Sequence, residues 1–270
     1  MSKRPAIEER FPAPSVMGVI NVTPDSFSDG GVHLRVEAAV TAAWGMLDAG
    51  GAIVDVGGES TRPGSEGVSV EEELRRIEPV ITDLGGAPVS VDTSKSAVAR
   101  RALELGVELV NDVTALRADP DLAGVVADAG CYLCLMHMLG EPRTMQQNPR
   151  YDDVVSEVKH FLEERLAFAV GAGIREELVC LDPGIGFGKT AEHNFELIRR
   201  LGELVAIGRP LLVGFSRKSS LGKLTGSTTG TAAASVGAAV AAFDRGATIL
   251  RVHDVREHVE ALAAAKAVAG

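Results

Sequence analysis

The sequence predicts an α/β fold, a single-domain (β/α)8 barrel, from three features of its pattern. Short apolar, β-branched runs alternate with longer stretches of helical periodicity, which is the pattern of consecutive βα units. Eight such units can be counted, and their strands read as almost unbroken apolar runs, as strands buried on both faces of a parallel sheet do. Each strand then ends in, or runs at once into, polar residues that a buried strand avoids. An open doubly wound sheet shares the alternation, but it typically has fewer strands and a glycine fingerprint after the first. Here the first strand runs into NVTPDSFSDGG, which is no such fingerprint.

One domain over residues 1–270 is predicted, with residues 1–15 a loosely ordered N-terminal extension. The first strand is placed at 17–22. A helix over 36–49, closed by Gly50-Gly51, leads to the second strand at 53–56. A helix over 70–84, closed by Gly85-Gly86, leads to the third at 89–93. The helix over 96–105 stops at Gly106 before the fourth strand at 108–113, and the fifth follows at 131–136. A helix over 153–170 precedes the sixth strand at 178–181. One over 193–201, stopped by Gly202, precedes the seventh at 211–215, and the eighth lies at 247–252. Glycine just past a periodic segment is a common helix stop.

Twenty-seven Lys and Arg against 37 Asp and Glu give a net charge of −10. That balance argues against a nucleic-acid or membrane-surface partner, since both need a positive field. No uncharged apolar stretch approaches the roughly 20 residues of a membrane span, and the opening MSKRPAIEERFPAPS has no apolar core after its charges. A cytoplasmic location is expected. The three cysteines, Cys131, Cys134 and Cys180, do not form the framework of a disulfide-rich domain. Cys131 and Cys134 are spaced as a redox or metal pair would be. On a buried strand, however, residues three apart point to opposite faces.

The polar strand ends are Asn21, Asp55, Asp92, Asn111 with Asp112, His137, Asp182, Ser216 with Arg217 and Lys218, and Arg251 with His253. A barrel gathers these ends on its C-terminal face, where active sites of this architecture lie. Three glycine-rich loops, NVTPDSFSDGG, GGESTRPGSEG and DPGIGFGKT, allow close backbone approach to a ligand there. A Walker phosphate loop is excluded because Pro183 stands five positions before Gly188. There is no His-x-His pair on a strand, His-Glu-x-x-His helix or Gly-x-Ser-x-Gly elbow, so metal and serine hydrolysis lose their usual support.

The motifs NVTPDSFSDGG, DVGGESTRPG, SVDTSK, ND, MHM, DPGIGFGK, GFSRKS and RVHDV, in this order and over nearly the whole chain, resemble the dihydropteroate synthases of folate biosynthesis. That family consists of pterin-binding TIM barrels targeted by sulfonamides. The resemblance implies a transferase that joins 6-hydroxymethyl-7,8-dihydropterin diphosphate to p-aminobenzoate, with Mg2+ assisting, and releases pyrophosphate. A flat pterin edge needs carboxylate acceptors, an amide and a cationic donor. By resemblance Asp182, Asn111 and Asp92 take that edge, Lys218 donates to the carbonyl, Met136 lines the pocket and Arg251 lies on the ring face. Asn21, Thr61, Arg62, Arg251 and His253 match positions at the diphosphate, with Asn21 as the Mg2+ ligand. Phe27, Pro63, Phe187 and Ser216 match positions around p-aminobenzoate.

The catalytic set so implied is Asp25, Arg62, Lys218 and Arg251. Loss of diphosphate leaves a methylene cation conjugated with the pterin, so an SN1-like displacement needs no protein nucleophile. Asp25 would stabilise that cation or take the proton of the attacking amine. Residues 23–31 and 60–67 are expected to become ordered over bound substrate. Leu139, where many relatives carry a polar residue, departs from the family pattern outside the pterin edge. The stretch TAAASVGAAVAAF is apolar nearly all round, and with the resemblance it implies a homodimer. Two alternatives are a corrinoid-dependent methyltransferase barrel and a pterin-binding paralogue without turnover.

Overall fold

The computed structural model describes residues 4–23, 32–62 and 64–269, without the side chains of 32–35. Eight parallel strands close into one barrel in sequence order. They are β1 (Ser15–Asn21), β2 (Ile53–Gly57), β3 (Val89–Asp92), β4 (Leu109–Asp112), β5 (Tyr132–Met136), β6 (Val179–Asp182), β7 (Leu211–Val213) and β8 (Ala247–Val252). Around them run α1 (Ile7–Arg10), α2 (Val32–Asp48), α3 (Val70–Asp83), α4 (Ser96–Glu104), α5 (Leu122–Ala129), α6 (Val154–Gly171), α7 (Ala191–Arg199), α8 (Leu201–Val205), α9 (Ser219–Thr225), α10 (Ala232–Phe243) and α11 (Val255–Ala269).

Local chemistry explains where the helices begin. Ser69 accepts a hydrogen bond from the Glu72 N–H at the start of α3, Asp153 from the Ser156 N–H at α6, and Thr190 forms a reciprocal capping box with His193 at α7. Each cap satisfies a backbone donor that the helix itself leaves free, worth about 1 kcal/mol.

Alternation along the strands divides the apolar residues into two layers. Val54, Val56, Val91, Leu133 and Leu135 face outward and pack under the helices. Met17, Ile53, Leu109, Tyr132, Cys134, Cys180, Leu212 and Ile249 face inward and fill the lower barrel. Burying each such aliphatic side chain contributes about 1.5–3 kcal/mol. Cys131, just before β5, belongs to the outer layer and Cys134 to the inner one, so the two thiols are buried in different layers. All three cysteines are free and buried.

Residues 4–15 correct the expectation of a loose extension. Ile7 and Phe11, one helical turn apart, are both 0% exposed and join the inner layer, closing the floor of the barrel. The Phe11 ring meets Tyr132 edge-on at 5.7 Å, and the Tyr132 hydroxyl donates to the Pro5 carbonyl at 3.2 Å. Ser15 already belongs to β1, two residues before the predicted start. Among the described residues no helix is long and apolar enough to cross a membrane.

Candidate active site

Register sets the level of the site. Asn21 pairs with Gly57, Gly57 with Asp92, and Asp92 with Asn111, so four strand ends share one rung at the C-terminal mouth. On the far side Met136 pairs with Asp182. Asp55, fully buried, lies one inward position below Gly57.

These side chains form one network. Arg251 Nε donates to Asp55 Oδ2 at 2.7 Å, and its Nη2 donates to Asp92 Oδ2 at 2.9 Å. Asn111 Nδ2 also donates to Asp55 Oδ2, at 2.9 Å. Asp55 is therefore the hub that orients both the guanidinium and the amide. Asp55 Oδ1 and Asn111 Oδ1 are buried without a hydrogen-bond partner. Unpaired buried acceptors cost free energy that a ligand donor can recover.

Across the mouth, Asp182 Oδ1 accepts from the Gly184 N–H at 2.7 Å. Burial pushes its carboxyl up to about 6, against the pull of that N–H and of Lys218. Burial likewise raises Asp92 to about 7, although the Arg251 charge opposes it. Burial and the nearby Arg251 lower Lys218 to about 8. The Lys218 ammonium sits 4.4 Å over the face of Phe187, a cation–π contact. Gly186 makes room for it, because a Cβ there would come within 3.2 Å of Lys218 Cδ. Met136 shares an apolar ledge with Val113, Met138, Met145 and Phe187.

On the rim, Ser216 Oγ lies 3.1 Å from His253 Nδ1 and accepts from the His253 N–H at 3.2 Å. Burial, with the nearby Arg251 charge, lowers His253 to about 4, so its ring is neutral. The loop after β2 is braced from below: Arg76 donates to the Gly58 carbonyl at 2.8 Å, and Lys95 bridges Glu59 and the buried Glu73. Within that loop Thr61 is half-buried and Arg62 exposed.

Known proteins resemble this chain over nearly its whole length. A family model described as "Pterin binding enzyme" covers residues 17–253. The dihydropteroate synthase of Neisseria meningitidis serogroup C is 47% identical, covering 94% of this chain and 93% of its own length. The chain belongs to the dihydropteroate synthase family. Among solved members of that family, the Xanthomonas albilineans dihydropteroate synthase with 4-aminobenzoic acid superposes with a TM-score of 0.89 at 47% identity, covering 96% of this chain and 94% of that one. The Xanthomonas albilineans enzyme in complex with 7,8-dihydropteroate gives 0.86 at 45% identity, covering 96% and 95%.

Of the positions matched to the dihydropteroate synthases by sequence, Asp92, Asn111, Met136, Asp182, Lys218 and Arg251 stand at the barrel mouth, with Asn21, Ser216 and His253 also at strand ends or just beyond them. Phe187 faces Lys218 from the loop after β6, and Thr61 and Arg62 occupy the loop after β2. Asp25, Phe27 and Pro63 lie outside the described residues, as does most of the 23–31 segment expected to close over substrate. Sequence reasoning placed Asp55 at a strand end but gave it no role. It missed Lys189, which is buried in the loop after β6. Alternation along β2 could have pointed to Asp55, since it shares the inward parity of Ile53.

Proposed function

We propose that this chain is an active dihydropteroate synthase: it condenses 6-hydroxymethyl-7,8-dihydropterin diphosphate with p-aminobenzoate to give 7,8-dihydropteroate and pyrophosphate by an SN1-like displacement. The observation that carries this reading is the ring of buried Asp92, Asn111 and Asp182 and partly buried Lys218 and Arg251, with Asn111 Oδ1 left unpaired inside it. The ring offers carboxylate acceptors, an amide and a cationic donor to the edge of a flat heterocycle. Arg251, fixed along one edge by Asp55 and Asp92, keeps a guanidinium face for the pterin ring.

As the C–O bond breaks, its electron pair leaves on the diphosphate, and the methylene cation left behind is delocalised into the pterin. Arg251 and Arg62, with the neutral N–H of His253, stabilise the departing charge. The amine of p-aminobenzoate, held against Phe187 with its carboxylate towards Ser216, then attacks the methylene and loses a proton. Asp25, by the family resemblance, would take that proton or stabilise the cation before it.

Mg2+ would be held by Asn21 and by oxygens of the diphosphate itself, and would neutralise part of the leaving group's charge. The donor set fits such a cation: Asn21 offers a hard amide oxygen at the mouth, and Gly57 leaves the space beside it, since a Cβ there would lie 3.8 Å from Asn21 Oδ1. Among the described residues no group of three or more His, Cys, Asp or Glu could hold a metal. The cation would therefore bind weakly until the diphosphate arrives.

We also propose a cytoplasmic homodimer formed through α10. Ala233 and Gly237 on that helix are exposed, while Ser235, Ala239 and Ala242 pack inward, so its outer face is small and apolar. The test of the activity is direct: purified protein is incubated with Mg2+, the dihydropterin diphosphate and p-aminobenzoate, and dihydropteroate is sought by mass. Catalytic turnover supports the synthase. A bound pterin without product would identify a paralogue that has lost the reaction.

A further inference from the structure

Lys189 is 3% exposed and plays no part in the chemistry above. Its ammonium lies 2.8 Å from His137 Nδ1, 3.0 Å from the Gly184 carbonyl, 3.0 Å from the Phe187 carbonyl and 3.4 Å from the His137 carbonyl. Three N–H donors are thus spent on two loops, the one after β5 and the one after β6. Burial holds His137 near 2, so its ring is neutral and Nδ1 can accept from the lysine.

The same two loops touch through their backbones. Gly184 has φ +68°, and a Cβ there would stand 1.8 Å from the His137 carbonyl oxygen, so no other residue fits. The remaining polar groups of the segment are also fixed. The Gly186 N–H donates to Asn194 Oδ1 at 2.8 Å and the Phe187 N–H to the Gly184 carbonyl at 3.1 Å, while Tyr151 donates to the Gly188 carbonyl at 2.8 Å. Phe187 is therefore held at both its N–H and its C=O, and Lys189 supplies the second hold. A buried ammonium is a costly way to brace a loop, because burial and the nearby Lys218 both disfavour its charge and only Asp182 supports it.

We propose that Lys189 is a positioning residue: by gripping the Gly184 and Phe187 carbonyls against His137, it fixes the Phe187 ring against Lys218 and so sets the wall on which p-aminobenzoate rests. The proposal rests on the synthase reading for its substrate, though not for its geometry.

The test uses Lys189→Met, which keeps the stem and removes the donors, with thermal unfolding to verify the fold. Amide exchange over residues 184–188 of the free protein should quicken at least tenfold, with β1 to β4 unchanged. The KM for p-aminobenzoate should rise at least tenfold, while kcat and the KM for the pterin diphosphate move less than threefold. In the Lys189→Met/Phe187→Leu double variant that KM should be no higher than in the worse single variant, because both changes spoil the same wall. Unchanged exchange, equal rises in both KM values, or additive effects would each overturn the proposal. If Lys189→Met does not fold, His137→Ala replaces it: at least threefold faster exchange at 184–188 is expected, and no change overturns the idea. Wild-type protein without turnover would sink the synthase reading, yet the exchange experiment would still settle what Lys189 does.

Discussion

Arg251 and Asp55 stand 196 positions apart in the chain, and their side chains meet at 2.7 Å inside the barrel. The contact joins β8 to β2 through the interior, and the Arg251 bond to Asp92 extends it to β3. One planar cation is held by carboxylates from two strands, so its orientation is fixed before any ligand arrives.

Arg251→Met removes the countercharge from two buried carboxylates at once. Stability should fall by about 3–5 kcal/mol, the usual penalty for an orphaned buried charge, as read from denaturant midpoints. Arg251→Lys restores the charge without the planar two-pronged grip. It should recover most of that stability while turnover stays down by about 100-fold or more. Lys activity equal to wild type would mean that the guanidinium plane is not used.

The pH profile of kcat/KM should be bell-shaped. On the roles proposed above, Asp182 and Asp92 must be ionised to accept from the pterin edge, which places the acid limb between about 6 and about 7, and Lys218 must be protonated to donate, which places the alkaline limb at about 8. Stability follows a separate rule. Asp92 is raised from 3.8 to about 7, so the folded state binds more protons than the unfolded chain in that window. The contribution of Asp92 is full below 3.8 and is lost as pH rises through about 7. Asp92→Asn should flatten that decline in a chemical-denaturation series run from pH 4 to 8.

Chelation should abolish turnover, and added Mg2+ should restore it. Asn21→Ala should raise the Mg2+ concentration for half-maximal rate by about tenfold, the low end of what an outer-shell or single-ligand loss costs. Calorimetric binding of a pterin lacking the diphosphate should be unaffected by either treatment. An unchanged Mg2+ requirement in Asn21→Ala would remove this residue from the cation site.

Ala233→Arg places a long charged side chain on the exposed apolar face of α10. Sedimentation of the unmodified chain should give a species of twice the 28.2 kDa chain mass, and the variant should run as a single chain. A wild-type protein that sediments at 28.2 kDa at micromolar concentration contradicts the dimer.

Most of the barrel was legible because its signals are local. Strand periodicity, helix stops at glycine and polar strand ends are each written within ten residues of sequence, and all eight strands fall where those signals place them to within two residues. What stayed hidden depends on contacts between distant segments. Asp55 reads as one more polar strand end until Arg251 and Asn111 are seen to converge on it. Lys189 reads as a loop lysine until the bend at Gly184 folds the chain around it. The N-terminal residues looked loose because the stretch is short and interrupted by proline. The Ile7 and Phe11 spacing, one turn of a helix, was the signal of a buried face.

Ile7, Phe11 and the inward-facing strand residues fill the lower barrel, so among the described residues the polar ring is approached as a blind shaft from the C-terminal mouth. Whatever reaches the deepest side chains must enter before its companion and depart after it. On the synthase reading proposed above, the heterocycle that meets Asn111 and Arg251 would be first in and last out, with traffic of the second substrate and of pyrophosphate confined to the threshold above. A molecule lodged on that threshold would trap the first substrate below as well as exclude the second, so its potency should grow as the shaft fills.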